Sequence, residues 1–322
     1  MEYMKGMEEN TNPKWENAEW KFYLFLGWCM IAGVLLLVQY IPTFSSMTSF
    51  YKAYDDFMKK KEYGNAIKIC SKNLRFYPSS VELLDLRGKA KESGGDYEGA
   101  LEDFNRAIAI DPLNCEALCY RAEAYHAMGR YEEVLEDCDK ASAMCPHSGW
   151  AADTRGVAKF ELGDEEGGLA DMHVAICLEP GESTHFNNRA CLRNRVKDYG
   201  GAAQDASKAI ELMGERVTPN PYRHYADAMR GLGNLDKALE YCNKAIEIDA
   251  TYADAFFSRG MVLYAKGQVG DSIADLSKAI KLKPDYAEAY YNRGVVYQSL
   301  GKSELAEADF AKAKSMGYEG SK

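Results

Sequence analysis

Cys115, Cys119, Cys138 and Cys145 lie close together in the chain, with His147 just behind them. Thiolate and imidazole are the ligands of a closed zinc site, and neighbouring thiols are the substrate of disulfide exchange, so this stretch has the residue types for a metal centre or a redox pair. On an antiparallel helix pair the start of the first helix lies beside the end of the second, which brings Cys115, Cys119, Cys145 and His147 together. Burial competes with that chemistry: in rows of 34 residues Cys138 falls in register with Cys70 and Cys242, and a free thiol behaves as a small hydrophobe. The expectation is therefore no metal, with most of the nine cysteines serving as core residues in a reducing compartment. Cys115, Cys119, Cys145 and His147 are the set that would hold an ion or form a disulfide if the stretch has chemistry.

Other reactive constellations are missing from the sequence. It has no Gly-rich phosphate loop, no HxxxH helix and no Gly-x-Ser-x-Gly elbow, and its five histidines are scattered singly. The chain reads as a non-enzyme that needs no cofactor. Lys plus Arg number 39 against 49 Asp plus Glu, a net charge of -10, and phosphate binding needs clustered cations, so nucleic acid is not an expected partner.

The elements that must position these residues follow from an internal repeat. Rows of 34 start at Met47, Val81, Cys115, Gly149, Ser183, Pro219, Ala253 and Ala287, giving repeats 47–80, 81–114, 115–148, 149–182, 183–216, 219–252, 253–286 and 287–320. Position eight is small (Gly88, Ala122, Gly156, Ala190, Ala226, Gly260, Gly294), and so is position twenty (Ala66, Ala100, Val134, Gly168, Ala202, Ala238, Ser272, Ala306). Such residues let two helices approach closely. Position 27 is Ala in all repeats except the first, which has Asn73 there. Pro78, Pro112, Pro146, Pro180 and Pro284 at position 32 end the second helix of their repeats.

A second pattern links positions seven and 23. Arg87 occurs with Asp103, Arg121 with Asp137, Arg155 with Asp171, Arg189 with Asp205, Arg259 with Asp275 and Arg293 with Asp309. The two repeats without the Arg, which have Ala53 and Tyr225, also lack the Asp, having Ile69 and Tyr241. This covariation predicts a structural ion pair between the two helices of one repeat, with descent from one ancestral copy as the alternative reading.

The small-small-Ala-Pro spacing, and the stretch GDYEGALEDFNRAIAIDP from Gly95 to Pro112 above all, resembles the tetratricopeptide repeat (TPR) family over residues 47–320. The resemblance implies an all-α fold, a right-handed superhelical α-solenoid of eight helix-turn-helix repeats. It also implies that first helices line a concave groove for a peptide or a partner helix. Carried onto this chain at positions two, five, nine, twelve and thirteen, the groove residues include Tyr51, Asp85, Lys89, Glu116, Glu123, Asn187, Arg195, Arg223, Arg230, Phe257, Tyr264 and Tyr291. The early repeats lean acidic, and Arg195, Arg223 and Arg230 form a basic spot. Tyr51, Asp85 and Cys119 stand where some family members carry a Lys that holds a chaperone's terminal carboxylate, so that docking is not expected. The family's Trp at position four is replaced, most weakly by Ala152, and looser packing is expected in repeat four. At the C-terminal end Lys314 reads as a solvent-facing cap, and the lack of a further helix leaves an end face open to self-association.

Residues 22–41, FYLFLGWCMIAGVLLLVQYI, carry no charge and as a helix would cover about 30 Å, the depth of a bilayer's hydrocarbon core. With a leader over 1–21 that is net acidic and lacks a cleavage signature, this reads as a retained single transmembrane helix, joined by a linker at 42–46 to the repeats. Lys52, Lys59, Lys60 and Lys61 downstream tilt the repeats toward the cytoplasm. The function expected is a membrane-anchored interaction scaffold. A receptor or assembly factor for translocated proteins, and a metal- or redox-responsive regulator working through the cysteines of repeat three, are the alternatives.

Overall fold

The computed structural model describes residues 44–214 and 217–320. The leader at 1–21 and the transmembrane span at 22–41 lie outside the described residues. Among the described residues no helix is long and apolar enough to cross a membrane. These residues form sixteen α-helices and no strand. The first helices of the repeats are α1 (Phe44–Lys59), α3 (Val81–Ser93), α5 (Cys115–Ala127), α7 (Gly149–Glu161), α9 (Ser183–Arg195), α11 (Asn220–Gly231), α13 (Ala253–Ala265) and α15 (Ala287–Ser299). The second helices are α2 (Tyr63–Leu74), α4 (Tyr97–Ile110), α6 (Tyr131–Met144), α8 (Glu165–Leu178), α10 (Tyr199–Leu212), α12 (Leu235–Ile248), α14 (Val269–Leu282) and α16 (Ser303–Ser315). Helix α1 starts at Phe44, inside the stretch expected to be linker; Pro42 and Thr43 just ahead are residue types that favour a helix start.

Two compact bodies divide the chain, the first ending at Lys72 and the second running on from Asn73. In the first, the Phe50 and Tyr54 rings stack with centroids 6.4 Å apart. In the second, each helix packs on the next, and successive first helices also touch one another, as α3 touches α5 and α9 touches α11.

Local chemistry explains where these helices begin and turn. Asp96, Asp164, Asp198 and Asn234 cap α4, α8, α10 and α12, each side chain accepting the amide of the residue three further on. The turn before each cap passes through a left-handed residue, Gly163 (φ 93°) in repeat four and Lys197 (φ 64°) in repeat five. A side chain at such a φ costs about 1 kcal/mol, so Lys197, like Lys61 (φ 59°) in repeat one, is a strained departure from the glycine of the remaining turns.

Where two helices cross, the small residues set the distance. A β-carbon on Gly156 would lie 2.8 Å from the Gly168 carbonyl oxygen, and one on Gly168 would lie 2.7 Å from the Gly156 carbonyl oxygen. The α7 and α8 backbones thus meet directly, and the fully buried Met172 fills the space beside them. Repeat four is therefore not loosened by Ala152, which is itself buried: the glycine pair draws the helices together and takes up the missing bulk. Gly168→Ala is expected to lower stability by about 1–3 kcal/mol despite alanine's better helix propensity, because the obstacle is backbone that cannot rotate away. The urea midpoint of the variant reads this out.

A candidate interaction cleft between first helices

The six Arg and Asp couples of positions seven and 23 are brought together within their repeats. Arg121 donates from Nε and Nη2 to the two carboxylate oxygens of Asp137 at 2.7 and 2.6 Å, and Arg155, Arg189, Arg259 and Arg293 hold Asp171, Asp205, Asp275 and Asp309 in the same fork at 2.7–2.9 Å. Arg87 reaches Asp103 at 2.8 and 2.5 Å. These aspartates are buried, so the bidentate guanidinium replaces the water they give up. Lys91, Lys159 and Arg193 add a second cation to Asp103, Asp171 and Asp205. In repeat six, where both charges are missing, the rings of Tyr225 and Tyr241 pack 4.2 Å apart at the same positions.

The sequence reading missed that these arginines also bridge repeats. Arg121 Nη1 donates to Asn105 of the preceding repeat at 2.6 Å, and Arg155, Arg259 and Arg293 do the same to Asp139, Asn243 and Ser277. All four acceptors occupy position 25, and that run of side chains with an accepting oxygen is the signal that could have revealed it.

The cysteines of repeat three divide between a disulfide and two buried thiols. Cys115, the first residue of α5, and Cys145, just after α6, form a disulfide with Cα atoms 6.4 Å apart. Their sulfurs are consumed in that bond, so of the two outcomes held open for Cys115, Cys119, Cys145 and His147 it is the disulfide, between two of the four, that forms. His147 is exposed, and Cys119 is buried, its thiol pushed up to about 12 by burial and then by the charge of Glu123. Cys70, Cys138 and Cys242 are buried, while Cys177 is exposed with Sγ 3.6 Å from His173 Nε2. Among the described residues no group of three or more potential metal ligands converges.

Between the first helices α3, α5, α7 and α9 lies a cleft of about 480 Å³. Its charged wall residues are Glu92, Glu123, Asp153, Glu161 and Arg195, with His126, Thr154, Asn188 and Cys191 beside them. Burial is the main force on the carboxyls: it pushes Glu92 up to about 7, aided by the charge of Glu123 and opposed by Lys89. Burial raises Glu123 as well, against the hydrogen bond that Trp150 Nε1 donates to it at 2.8 Å. Burial lowers His126, so the imidazole adds no charge at neutral pH. Asp153 is fixed from behind by Asn188 Nδ2 at 2.7 Å and lies 3.2 Å from His185 Nδ1. His185 Nε2 is 2.9 Å from Glu179, which accepts the Gly149 amide at 2.7 Å. Burial disfavours the charged form of that imidazole, but Asp153 and Glu179 together outweigh it and raise its pKa.

The other groove residues are placed as follows. Tyr51 packs edge-on against Phe50. Asp85, Lys89 and Glu116 line a second, smaller pocket between α3 and α5. Asn187 donates to Asn188 at 3.3 Å. The three arginines do not present a bare basic spot: Arg195 pairs with Glu161, and Arg223 pairs with Asp227 at 2.9 Å while donating to the Tyr252 hydroxyl. Arg230 Nε is buried without a hydrogen-bond partner. Phe257 packs on Tyr286 with ring centroids 5.1 Å apart, and Tyr264 is half-buried. Tyr291 touches Phe310 and Tyr318, so residues just beyond α16 fold back over part of the C-terminal end. Lys314 is exposed there and pairs with Glu319.

Comparison with known proteins agrees with this architecture. A family model described as TPR repeat matches residues 88–129 and 260–301, and one described as tetratricopeptide repeat matches 224–252 and 287–316. A tetratricopeptide repeat protein from Parabacteroides merdae ATCC 43184 superposes with a TM-score of 0.59 at 24% identity, over 74% of this chain and 94% of that one. The structure of the APC/C hetero-tetramer Cut9-Hcn1 gives 0.70 at 13% identity over 87% of this chain and 55% of that one. The thermophilic TPR protein TTC0263 of Thermus thermophilus gives 0.52 at 22% identity over 57% of this chain and 100% of that one. No curated protein sequence matches the chain. The chain carries tetratricopeptide repeats in an all-α helical solenoid, a fold that suggests a protein-interaction scaffold.

Proposed function

We propose that this chain is a membrane-tethered scaffold that takes a basic segment of a partner protein into the acidic cleft between α3, α5, α7 and α9. The observation that supports it is the charge of the cleft wall. Glu161 and Arg195 neutralise each other and Asp153 faces the His185 imidazole, which leaves Glu92 and Glu123 without a cation among the wall residues. Burial makes Glu92 and Glu123 unwilling to ionise, and a bound Lys or Arg would supply the charge that restores the ionised form. The tether is residues 22–41, whose apolar length suits a bilayer. Holding the cleft at a membrane raises the local concentration of whatever it binds there. No chemical step is assigned to the chain.

Glu92→Gln/Glu123→Gln is the test. With the full chain in detergent and a labelled oligomer of alternating Lys and Ser, fluorescence anisotropy is expected to show roughly tenfold weaker binding for the double variant. Wild-type binding should weaken as pH falls through about 7, where Glu92 takes up its proton. Equal affinity for wild type and variant, or for an oligomer of Glu and Ser, contradicts the proposal.

The disulfide favours a second reading of the topology. Lys52, Lys59, Lys60 and Lys61 tilt the expected topology toward repeats in the cytoplasm, whereas a structural disulfide persists in oxidising compartments. Alkylation of intact cells before lysis separates the two: a protected Cys115–Cys145 pair puts the repeats on the oxidising side.

A further inference from the structure

The smaller pocket between α3 and α5, about 390 Å³ in volume, contains a group the cleft does not explain. Asp85 lies on its wall at 8% exposure, and one of its carboxylate oxygens, Oδ1, has no hydrogen-bond partner. The other, Oδ2, accepts from Asn114 Nδ2 at 3.2 Å. Leaving a buried carboxylate oxygen unmatched costs roughly 1–3 kcal/mol or more, so a fold keeps one where something else satisfies it. The pocket's own cation does not bond to it. Lys89 Nζ is 3.3 Å from the Tyr120 hydroxyl and 4.4 Å from the centroid of the same ring, an engagement that draws it to α5.

We propose that this pocket is a subsite for the ammonium group of a lysine side chain on the partner segment, with Asp85 Oδ1 as its buried counter-ion. The inference rests on the reading of a basic partner given above and adds where one of its lysines goes. An ammonium group offers three donors. One satisfies Asp85 Oδ1, and the charges of Glu116 and Glu82, which line the same pocket, act on Asp85 and add to the negative field there. The Asn114 side chain holds Asp85 in place for this role, because its oxygen caps α5 by accepting the Ala117 amide while its nitrogen donates to the carboxylate.

The groups facing Asp85 also set a pH dependence. Burial pushes Asp85 up to about 6; the Asn114 hydrogen bond opposes this, Glu116 and Glu82 add to it, and Lys89 lowers it. The ammonium subsite therefore fills at neutral pH and empties as pH falls through about 6.

The test uses the full chain in detergent and the labelled oligomer of alternating Lys and Ser. Asp85→Asn, which keeps the shape and the contact with Asn114, is expected to bind roughly tenfold more weakly near neutral pH and to lose the part of the pH dependence centred near 6. Glu116→Gln changes an exposed residue, and is expected to weaken binding by roughly threefold. If Asp85→Asn, with an unchanged melting temperature, binds like wild type at every pH while Glu92→Gln/Glu123→Gln has lost affinity, the subsite is wrong and the cleft reading stands. If the wild type itself does not bind the oligomer, both fall. If Asp85→Asn melts early, the outcome for Glu116→Gln decides: affinity equal to wild type overturns the subsite.

Discussion

Arg121→Ala is expected to lower the stability of the chain by about 3 kcal/mol, more than the loss of most surface contacts. The reason lies on the other side of the pair. Asp137 is 2% exposed, and without the guanidinium fork its two oxygens stay buried with nothing to offset the lost water. The bond from Arg121 to Asn105 is lost with it, so the contact between repeats two and three weakens as well. Asp137→Ala removes the buried charge along with its need for a partner and should cost less, about 2 kcal/mol. In the double variant the losses should fall short of their sum by about 1–2 kcal/mol. Strict additivity in urea unfolding would contradict the pairing. Repeat six shows how a different solution serves the same place, since the Tyr225 and Tyr241 rings fill positions seven and 23 without any charge.

Reducing the Cys115–Cys145 bond, or replacing both residues by Ser, is expected to cost about 3–4 kcal/mol, because the bond closes a loop with a sequence separation of 30 and removes that loop's freedom from the unfolded chain. In a solenoid such a loss is felt first in the repeat that carries it and in its neighbours. Repeat three lies at the centre of the cleft: α5 supplies Glu123 and His126, and the bond fastens the start of α5 to the end of α6. Reductant should therefore lower the urea midpoint and loosen exchange-protected amides in α5 and α6 before those of α13 or α14. An unfolding curve that does not shift with reductant would contradict a structural role for the bond.

Helix positions were legible because they rest on period. The first helices in the second body start at Val81, Cys115, Gly149, Ser183, Asn220, Ala253 and Ala287, at or next to the residues that head each row of 34. Small residues at positions eight and twenty mark a helix crossing, and the close approach of Gly156 to Gly168 shows what they permit. Other features needed geometry. Arg195, Arg223 and Arg230 look like a basic spot in sequence, but Glu161 and Asp227 sit one helix turn or one repeat away and neutralise two of them. The acidic character of the cleft was visible as a lean in the early repeats. Its sharpest members were not: Glu92 draws its character from burial beside Glu123, and Asp85 from burial on a pocket wall where Lys89 is engaged by Tyr120. Spacing alone brought Cys115 and Cys145 near each other, yet whether thiols bond or stay free depends on the Cα separation and orientation that only coordinates give.

Hydrogen exchange of the full chain with and without the Lys and Ser oligomer tests the central claim most directly. The account predicts slowed exchange in α3, α5, α7 and α9 around the cleft residues Glu92, Glu123, Asp153 and Asn188, and none at α14 or α16. Protection spread evenly over all repeats, or confined to the second helices, would contradict it.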